Sequence, residues 1–342
     1  MAEPLMNLQG LRREFKTRRG PIAAVDDISL MLHPSDIICL VGESGSGKTT
    51  VARMAAGLLK PTAGAITFEG HNLNEMSKDE FKEYRKAVQI VHQDPYASLN
   101  PVHTIGDILS APLLHHKIAR GRRDATKRVG DLLELVDLNP VENFISKYPH
   151  QLSGGQRQRV SVARAMALNP RMIIADEAVS MVDVSIRVSL LNTMLKLRNE
   201  LGVTFLFITH DLAVVKYFGW EGHIGVMYVG KLIEYGRTPQ IIGRPLHPYT
   251  RALAAAIPEA DPDLTRSKEK LQLRSLEIPN LSNLPEGCVF HPRCPYFEPG
   301  LCDVTMPPLV DLGHGRHVAC HVVERELTGS IEGGRVGKDA AA

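Results

Sequence analysis

The residues best placed to do chemistry are Gly42-Glu43-Ser44-Gly45-Ser46-Gly47-Lys48-Thr49-Thr50. Glycines at this spacing let successive backbone N–H groups turn inward around anionic oxygens. A helix opening at Lys48 adds a fixed partial positive charge at the same point. Lys48 would then reach β- and γ-phosphates, and the Thr49 hydroxyl would meet Mg²⁺. The flanks fit: Ile37-Ile38-Cys39-Leu40-Val41 reads as a buried strand and Val51-Ala52-Arg53-Met54 continues a helix. The expectation is a nucleotide-binding loop between them. The acids to complete such a site stand at the end of a second apolar run, Met172-Ile173-Ile174-Ala175-Asp176-Glu177. Asp176 would hold Mg²⁺ or its water, and Glu177 would polarise the water that attacks the γ-phosphate. The plainer alternative is a strand ending in solvated acids.

A third stretch, Leu152-Ser153-Gly154-Gly155-Gln156-Arg157-Gln158-Arg159, precedes the helical pattern Val160, Ala163, Ala167. Ser153 and Gln156 have the spacing of a capping box, so a helix begins here. Its two glycines would let a phosphate approach, although an ordinary capped helix fits the spacing equally well.

The elements that carry these residues alternate in βαβ rhythm: Ile37–Val41 then a helix from Lys48, Met172–Ala175 then a helix after Val184, Val203–Ile208 then a helix after Asp211. A parallel sheet flanked by helices follows. A mostly helical insertion runs from about Thr104 to Ala167, broken at Tyr148-Pro149. Beyond it come a short strand at Lys231–Gly236 and a helix at about Tyr249–Ala256. The main boundary is expected near Pro258, giving a domain of 1–258, an extension of 259–327 and a disordered tail of 328–342. No repeat at solenoid periods is present.

Composition bounds the rest. The 342 residues can bury a large core and carry a net charge of +2, which gives no overall field to recruit nucleic acid or an acidic surface. No apolar stretch approaches the roughly 20 residues that span a bilayer, and the first residues lack a secretory pattern. Cytoplasmic residence, held at a membrane only by a partner, is the expectation. Of five cysteines, Cys39 stands alone, whereas Cys288, Cys294, Cys302 and Cys320 are spaced C-x5-C-x7-C-x17-C. In a reducing compartment such a group suggests metal before disulfide, and a segment this poor in apolar residues wants a staple. Four thiolates suit Zn²⁺ or a [4Fe–4S] cluster, with free thiols as the alternative. His291 and His321 are nearby substitutes that could equally pack or meet solvent.

Taken in order, the Lys48 loop, L-S-G-G-Q, I-I-A-D-E and Ile208-Thr209-His210-Asp211 resemble the ATP-binding subunits of ABC transporters over about residues 5–258. The resemblance implies an α/β cassette with a mainly parallel sheet, an antiparallel β subdomain and an inserted helical subdomain, binding ATP and Mg²⁺. In that family two cassettes close head-to-tail, so Ser153, Gly154, Gly155 and Gln156 would meet the γ-phosphate on the partner's loop. His210 matches the switch histidine, and Asp183 matches the aspartate crossing the dimer. Gln93 matches the glutamine linking nucleotide and metal to the membrane partner. Phe15 stands where an aromatic stacks on adenine, with a core phenylalanine as the alternative. The family's D-E-P-T-S-A-L-D reads here Asp176-Glu177-Ala178-Val179-Ser180-Met181-Val182-Asp183, so both carboxylates remain while a stiffening proline is lost.

Tyr96-Ala97-Ser98-Leu99-Asn100-Pro101, Leu246-His247-Pro248-Tyr249-Thr250-Arg251 and Cys288-Val289-Phe290-His291-Pro292-Arg293-Cys294 resemble the oligopeptide and dipeptide importers. That branch implies a related second ATPase as heterodimer partner, two permeases, an external solute-binding protein and a place on the cytoplasmic face of the membrane. It also implies an iron–sulfur cluster in preference to zinc at the cysteines, and residues Asp94 to Pro101 near the permease. Relatives carry oligosaccharides or nickel. A soluble ABC ATPase acting on ribosomes or DNA and a nonhydrolytic regulatory cassette are the competing readings.

Overall fold

The computed structural model describes residues 3–18, 20–257 and 271–332. The first strands are β1 (Met6–Thr17) and β2 (Gly20–Leu32). In β2 Ile28, Leu30 and Leu32 are buried while Asp27, Ser29 and Met31 face outward, the period of two expected of a half-covered sheet. Strand β3 (Ile37–Val41) is buried at every position, as a strand covered on both faces must be. Helix α1 (Lys48–Ala55) follows, then β4 (Ala63–Phe68), β5 (His71–Asn72), α2 (Lys78–Ala87) and β6 (Val88–Val91).

Helix α3 (Pro95–Ser98) comes before the helical insertion, which holds α4 (Ile105–His115), α5 (Arg122–Leu135), α6 (Glu142–Ile145) and α7 (Gly154–Met166). Thr104 caps α4 through a reciprocal bond with Asp107. After α7 come β7 (Met172–Asp176), α8 (Val184–Leu201), β8 (Thr204–Thr209), α9 (Leu212–Phe218), β9 (His223–Tyr228) and β10 (Lys231–Arg237). The chain ends with α10 (Thr238–Gly243), α11 (Pro248–Ala255), β11 (Val310–Asp311), β12 (His317–Val318) and α12 (His321–Glu332).

The chain forms two compact units, each discontinuous in sequence. The first comprises Met1–Leu11, Ser29–Ile38 and Thr49–Thr209. Its parallel core pairs Ile90 with Ile174 and Ile174 with Leu206, so β6, β7 and β8 stack three apolar rows in register. The Phe205 N–H donates to Asp36 O at 2.8 Å, bringing the approach to β3 beside β8. Arg159 of α7 ties the insertion to α8 by donating to Asp137 Oδ2 at 2.9 Å and to Ser189 Oγ at 2.6 Å.

The second unit comprises Arg12–Ile28, Cys39–Lys48 and His210–Ala342. Here β9, β10, β12 and β11 pair antiparallel, with Glu234 opposite both Val226 and Val318. The extension falls in the same unit as the Gly42–Lys48 loop. The expected boundary at Pro258 lies outside the described residues. Helix α12 runs into the segment expected to lack structure, and the remaining tail, 333–342, also lies outside them.

Candidate functional site

The glycine loop is the turn between β3 and α1. Gly42 has φ 153° and Gly47 has φ 98°. A Cβ on Gly42 would collide with the Met227 carbonyl oxygen, and one on Gly47 with that of Ala24. Only glycine lets the loop close this tightly. Lys48 is 4% exposed, and its ammonium donates to Gly42 O at 2.7 Å, Glu43 O at 2.9 Å and Ser46 Oγ at 3.2 Å. The lysine thus folds back over the loop it would share with a phosphate. Ser46 is buried, Ser44 and Gly45 are exposed, and Thr50 lies in the first turn of α1.

Three groups from the C-terminal region hold the loop from behind. The Glu43 N–H donates to Tyr249 Oη at 2.8 Å. Arg293 grips the Glu43 carboxylate with both terminal nitrogens, at 2.7 and 3.0 Å. Arg293 Nη1 also lies 3.3 Å from Tyr228 Oη. Hydrogen bonding to Glu43 raises the Arg293 pKa above its ordinary value. Sequence reasoning gave none of these three residues a role at the loop, although Tyr249 and Arg293 stand in the very motifs that mark the branch. A cavity of about 280 Å³ beside the loop is lined by Glu43, Ser46 and Tyr228 and by Ile278, Pro279 and Leu281 of the extension.

The strand-end acids lie in the first unit. Thr49, at the start of α1, donates its hydroxyl to Asp176 Oδ1 at 3.1 Å across 127 positions of sequence. Asp176 is 7% exposed, and burial raises its carboxyl above the usual range while the Thr49 bond opposes the shift. A hydroxyl and a carboxylate this close form an oxygen pair suited to Mg²⁺, which takes few protein ligands and completes its shell with phosphate and water. Next along the chain, Glu177 has φ 50°, a left-handed backbone that turns its side chain out of the strand line. Gln93 Nε2 donates to Glu177 Oε2 at 2.9 Å and lies 3.4 Å from Ser180 Oγ. The loop that lost its proline is instead fixed by buried Ala178 and Val179 and by the Ser180 hydroxyl, which donates to Glu177 O at 2.9 Å.

Of the remaining expected residues, Ser153, Asp183 and His210 are exposed, Gly154 and Gln156 half-buried and Gly155 buried. Ser153 caps α7, accepting from Gln156 N at 3.3 Å, and Gln156 Oε1 accepts from Ser153 N at 3.0 Å. Gly155 packs on Ile186 so closely that a Cβ would overlap its side chain. Gly154 has no such contact, its Cβ position lying 3.9 Å from Met181 O. Asp183 is the exposed N-cap of α8 and makes no side-chain capping bond. His210 is exposed immediately after β8. Phe15 is 39% exposed on β1 with the Arg13 guanidinium 4.9 Å from its ring centroid, which places it as a surface ring and not a core one.

The cysteines answer differently. Cys294 and Cys302 are buried, and Cys288 and Cys320 half-buried. Burial pushes the Cys288 thiol up to about 11 and the Cys294 thiol up to about 12. Yet among the described residues no set of three or more His, Cys, Asp or Glu side chains could hold a metal ion. The expected Fe–S or Zn²⁺ centre is therefore not formed by these side chains as they stand. Backbone bonds staple the segment instead: Cys288 N to Cys302 O, His291 N to Cys288 O and Cys294 N to His291 O. His291 Nδ1 meets Cys288 O at 3.0 Å and His321 Nε2 meets Thr305 O at 2.9 Å, so both imidazoles are engaged by backbone.

A glycine loop that closes on its own lysine, and a strand-end carboxylate that takes a hydroxyl bond from Thr49, are each features of a P-loop nucleotide-binding cassette. Residues 25–180 match the ABC transporter family, and residues 233–302 match the oligopeptide/dipeptide transporter C-terminal region. The probable peptide ABC transporter ATP-binding protein y4tS of Sinorhizobium fredii is 41% identical over 94% of this chain and 91% of its own length. The oligopeptide transport ATP-binding protein OppF of Salmonella typhimurium is 44% identical over 94% and 96%. Among solved structures, the dimeric cassette MJ0796 in a post-hydrolysis state with ADP and Pi matches with TM-score 0.61 and 29% identity, covering 68% of this chain and 98% of that one. The chain belongs to the ATP-binding proteins of ABC transporters, in the group that carries the oligopeptide/dipeptide C-terminal region.

Proposed function

We propose that this chain is the ATP-hydrolysing subunit of an importer for oligopeptides or dipeptides. The observation that carries the chemistry is the Thr49 to Asp176 bond, which joins a hydroxyl and a strand-end carboxylate into one oxygen pair. Lys48 exchanges its bonds to Gly42 O and Glu43 O for phosphate oxygens, so the loop's own carbonyls hold it ready in the interim. Thr49, Asp176 and Gln93 would hold Mg²⁺, which would supply charge neutralisation at the β- and γ-phosphates. Glu177 accepts the proton of the attacking water as oxygen bonds to the γ-phosphorus, and the bond to the bridging oxygen breaks with its electron pair leaving on ADP. Gln93, bonded to Glu177 Oε2, restrains that base until nucleotide and the permease rearrange the loop. Phe15 stacks on adenine, Gly42–Thr50 wrap the phosphates, and Ser153, Gly154, Gly155, Gln156, Asp183 and His210 complete the site across a head-to-tail dimer.

The partners follow from the same reading: a second related cassette, two membrane permeases and an external solute-binding protein, with this chain on the cytoplasmic face. No helix among the described residues is long and apolar enough to cross a membrane. A groove of about 670 Å³ lined by His92, Ser98, Asn100, His103 and Arg164 adjoins the 94–101 stretch and would seat a permease element. The domain division proposed is a cassette of 1–258 with its helical insertion at 104–167, followed by an extension at 259–327 that supports the loop. The expectation of a [4Fe–4S] cluster or Zn²⁺ at the four cysteines rests on their spacing in sequence alone. The thiols as they stand do not fit either group, and the hydrolysis described here does not pass through one. Iron and zinc analysis after anaerobic purification decides that point.

The deciding experiment is ATPase activity of the membrane complex with its solute-binding protein, titrated with short peptides and separately with oligosaccharides. Stimulation by peptides is expected. Stimulation by sugars alone would move the chain to the saccharide transporters, and purification on ribosomes with no permease would overturn the transport reading.

A further inference from the structure

The extension does more than follow the cassette, because through Arg293 it reaches the loop that would hold the phosphates. Glu43 places a carboxylate within that loop, where an anion would repel a nucleoside triphosphate. The carboxylate is met by a single guanidinium, gripped at 2.7 and 3.0 Å. Arg293 is 4% exposed, so the pair is shielded on the arginine side from the solvent screening that weakens surface ion pairs. Its position is fixed by aromatic rings: the guanidinium carbon stands 5.6 Å from the Tyr228 centroid and 5.8 Å from that of Phe290. Phe290 in turn packs perpendicular to Tyr228 at 5.2 Å, and Tyr249, which accepts the Glu43 N–H, lies 4.7 Å from Tyr228. Both the side chain and the backbone of one loop residue are therefore held by groups from outside the loop.

We propose that Arg293 is a positioning residue for the nucleotide loop, cancelling and orienting the Glu43 carboxylate so that the loop accepts the phosphates of ATP. The proposal rests on the ATP reading of the loop. Fork geometry matters, since two parallel N–H bonds fix the carboxylate plane where an ammonium would only neutralise it. The sign of the effect separates this role from that of a bolt fastening the extension. Removing Arg293 exposes a negative charge to the phosphates, whereas removing the charge of Glu43 leaves Arg293 as an added positive one. A bolt would be broken equally by either change.

The test is equilibrium binding of a fluorescent ATP analogue to the full complex, with KM and kcat for ATP. Arg293→Met is expected to weaken binding about tenfold, mostly in KM, as one unscreened charge at loop distance would do. Glu43→Gln is expected to tighten binding about threefold by the same Coulomb argument. The double variant returns near the wild-type affinity, and the differences shrink as salt is raised. Arg293→Lys, which keeps charge without the fork, falls between wild type and Arg293→Met and serves where the latter does not fold. Equal weakening by Arg293→Met and Glu43→Gln, or a double variant as weak as Arg293→Met, would overturn the proposal. Wild-type complex that binds no ATP would instead remove the reading beneath it.

Discussion

At the scale of single residues, Glu177 carries the sharpest expectation. Glu177→Gln should lower turnover by about 10²–10⁴-fold while leaving ATP binding in place, read by single-turnover hydrolysis beside analogue binding. Unchanged turnover would remove Glu177 from the reaction. Gly47→Ala tests the loop itself: a Cβ meets the Ala24 carbonyl at a backbone angle that only glycine adopts freely, so ATP affinity should collapse. These residues were legible because their chemistry is local. Loop, lysine and hydroxyl stand within nine positions, and Asp176 ends an apolar run that announces a strand. Arg293 was not legible, because its partner lies 250 positions away and nothing in the spacing of a His-Pro-Arg-Cys run points to a carboxylate in the loop.

At the scale of elements, the caps were readable and the buried polar supports were not. Ser153 and Gln156 announce the start of α7 by their spacing alone, and the reciprocal bonds are present. By contrast, Glu234 on β10 looks like a solvated strand residue but is fully buried. It accepts from Leu246 N at 2.9 Å, His247 N at 3.0 Å and Arg316 Nη2 at 3.0 Å. Arg316→Met should cost about 3 kcal/mol in chemical denaturation, since it strips the cation from a buried carboxylate. Neighbouring His247 caps α11 by accepting the Tyr249 N–H on Nδ1 at 3.0 Å, and burial lowers its pKa to about 3. The folded state therefore stays neutral there while the unfolded state takes a proton below its ordinary value of 6.5. Its contribution is full above that value and is lost as pH falls toward 3, at about 1.4 kcal/mol per pH unit. His247→Asn keeps a capping acceptor and should flatten the stability profile over that window. The cysteine segment was the hardest to read: spacing counted donors, but whether four thiols converge depends on turns that hydrogen bonds fix.

At the scale of the whole molecule, the outward placement of Ser153, Asp183 and His210 fits a catalyst completed only by a second cassette. The isolated chain should bind ATP yet turn it over slowly, with activity recovered on mixing with its partner cassette. Concentration-independent full activity of the single chain would contradict this. Strand β10 pairs with β9 on one side, and on the other with β12 through Glu234 opposite Val318 and Tyr235 opposite His317. A chain cut after residue 257 would leave those N–H and C=O groups as a bare sheet edge, open to pairing with any other strand. The minimal cassette would thus be an aggregation-prone fragment, and its poor solubility would reflect an uncovered edge and not a failure of the nucleotide fold.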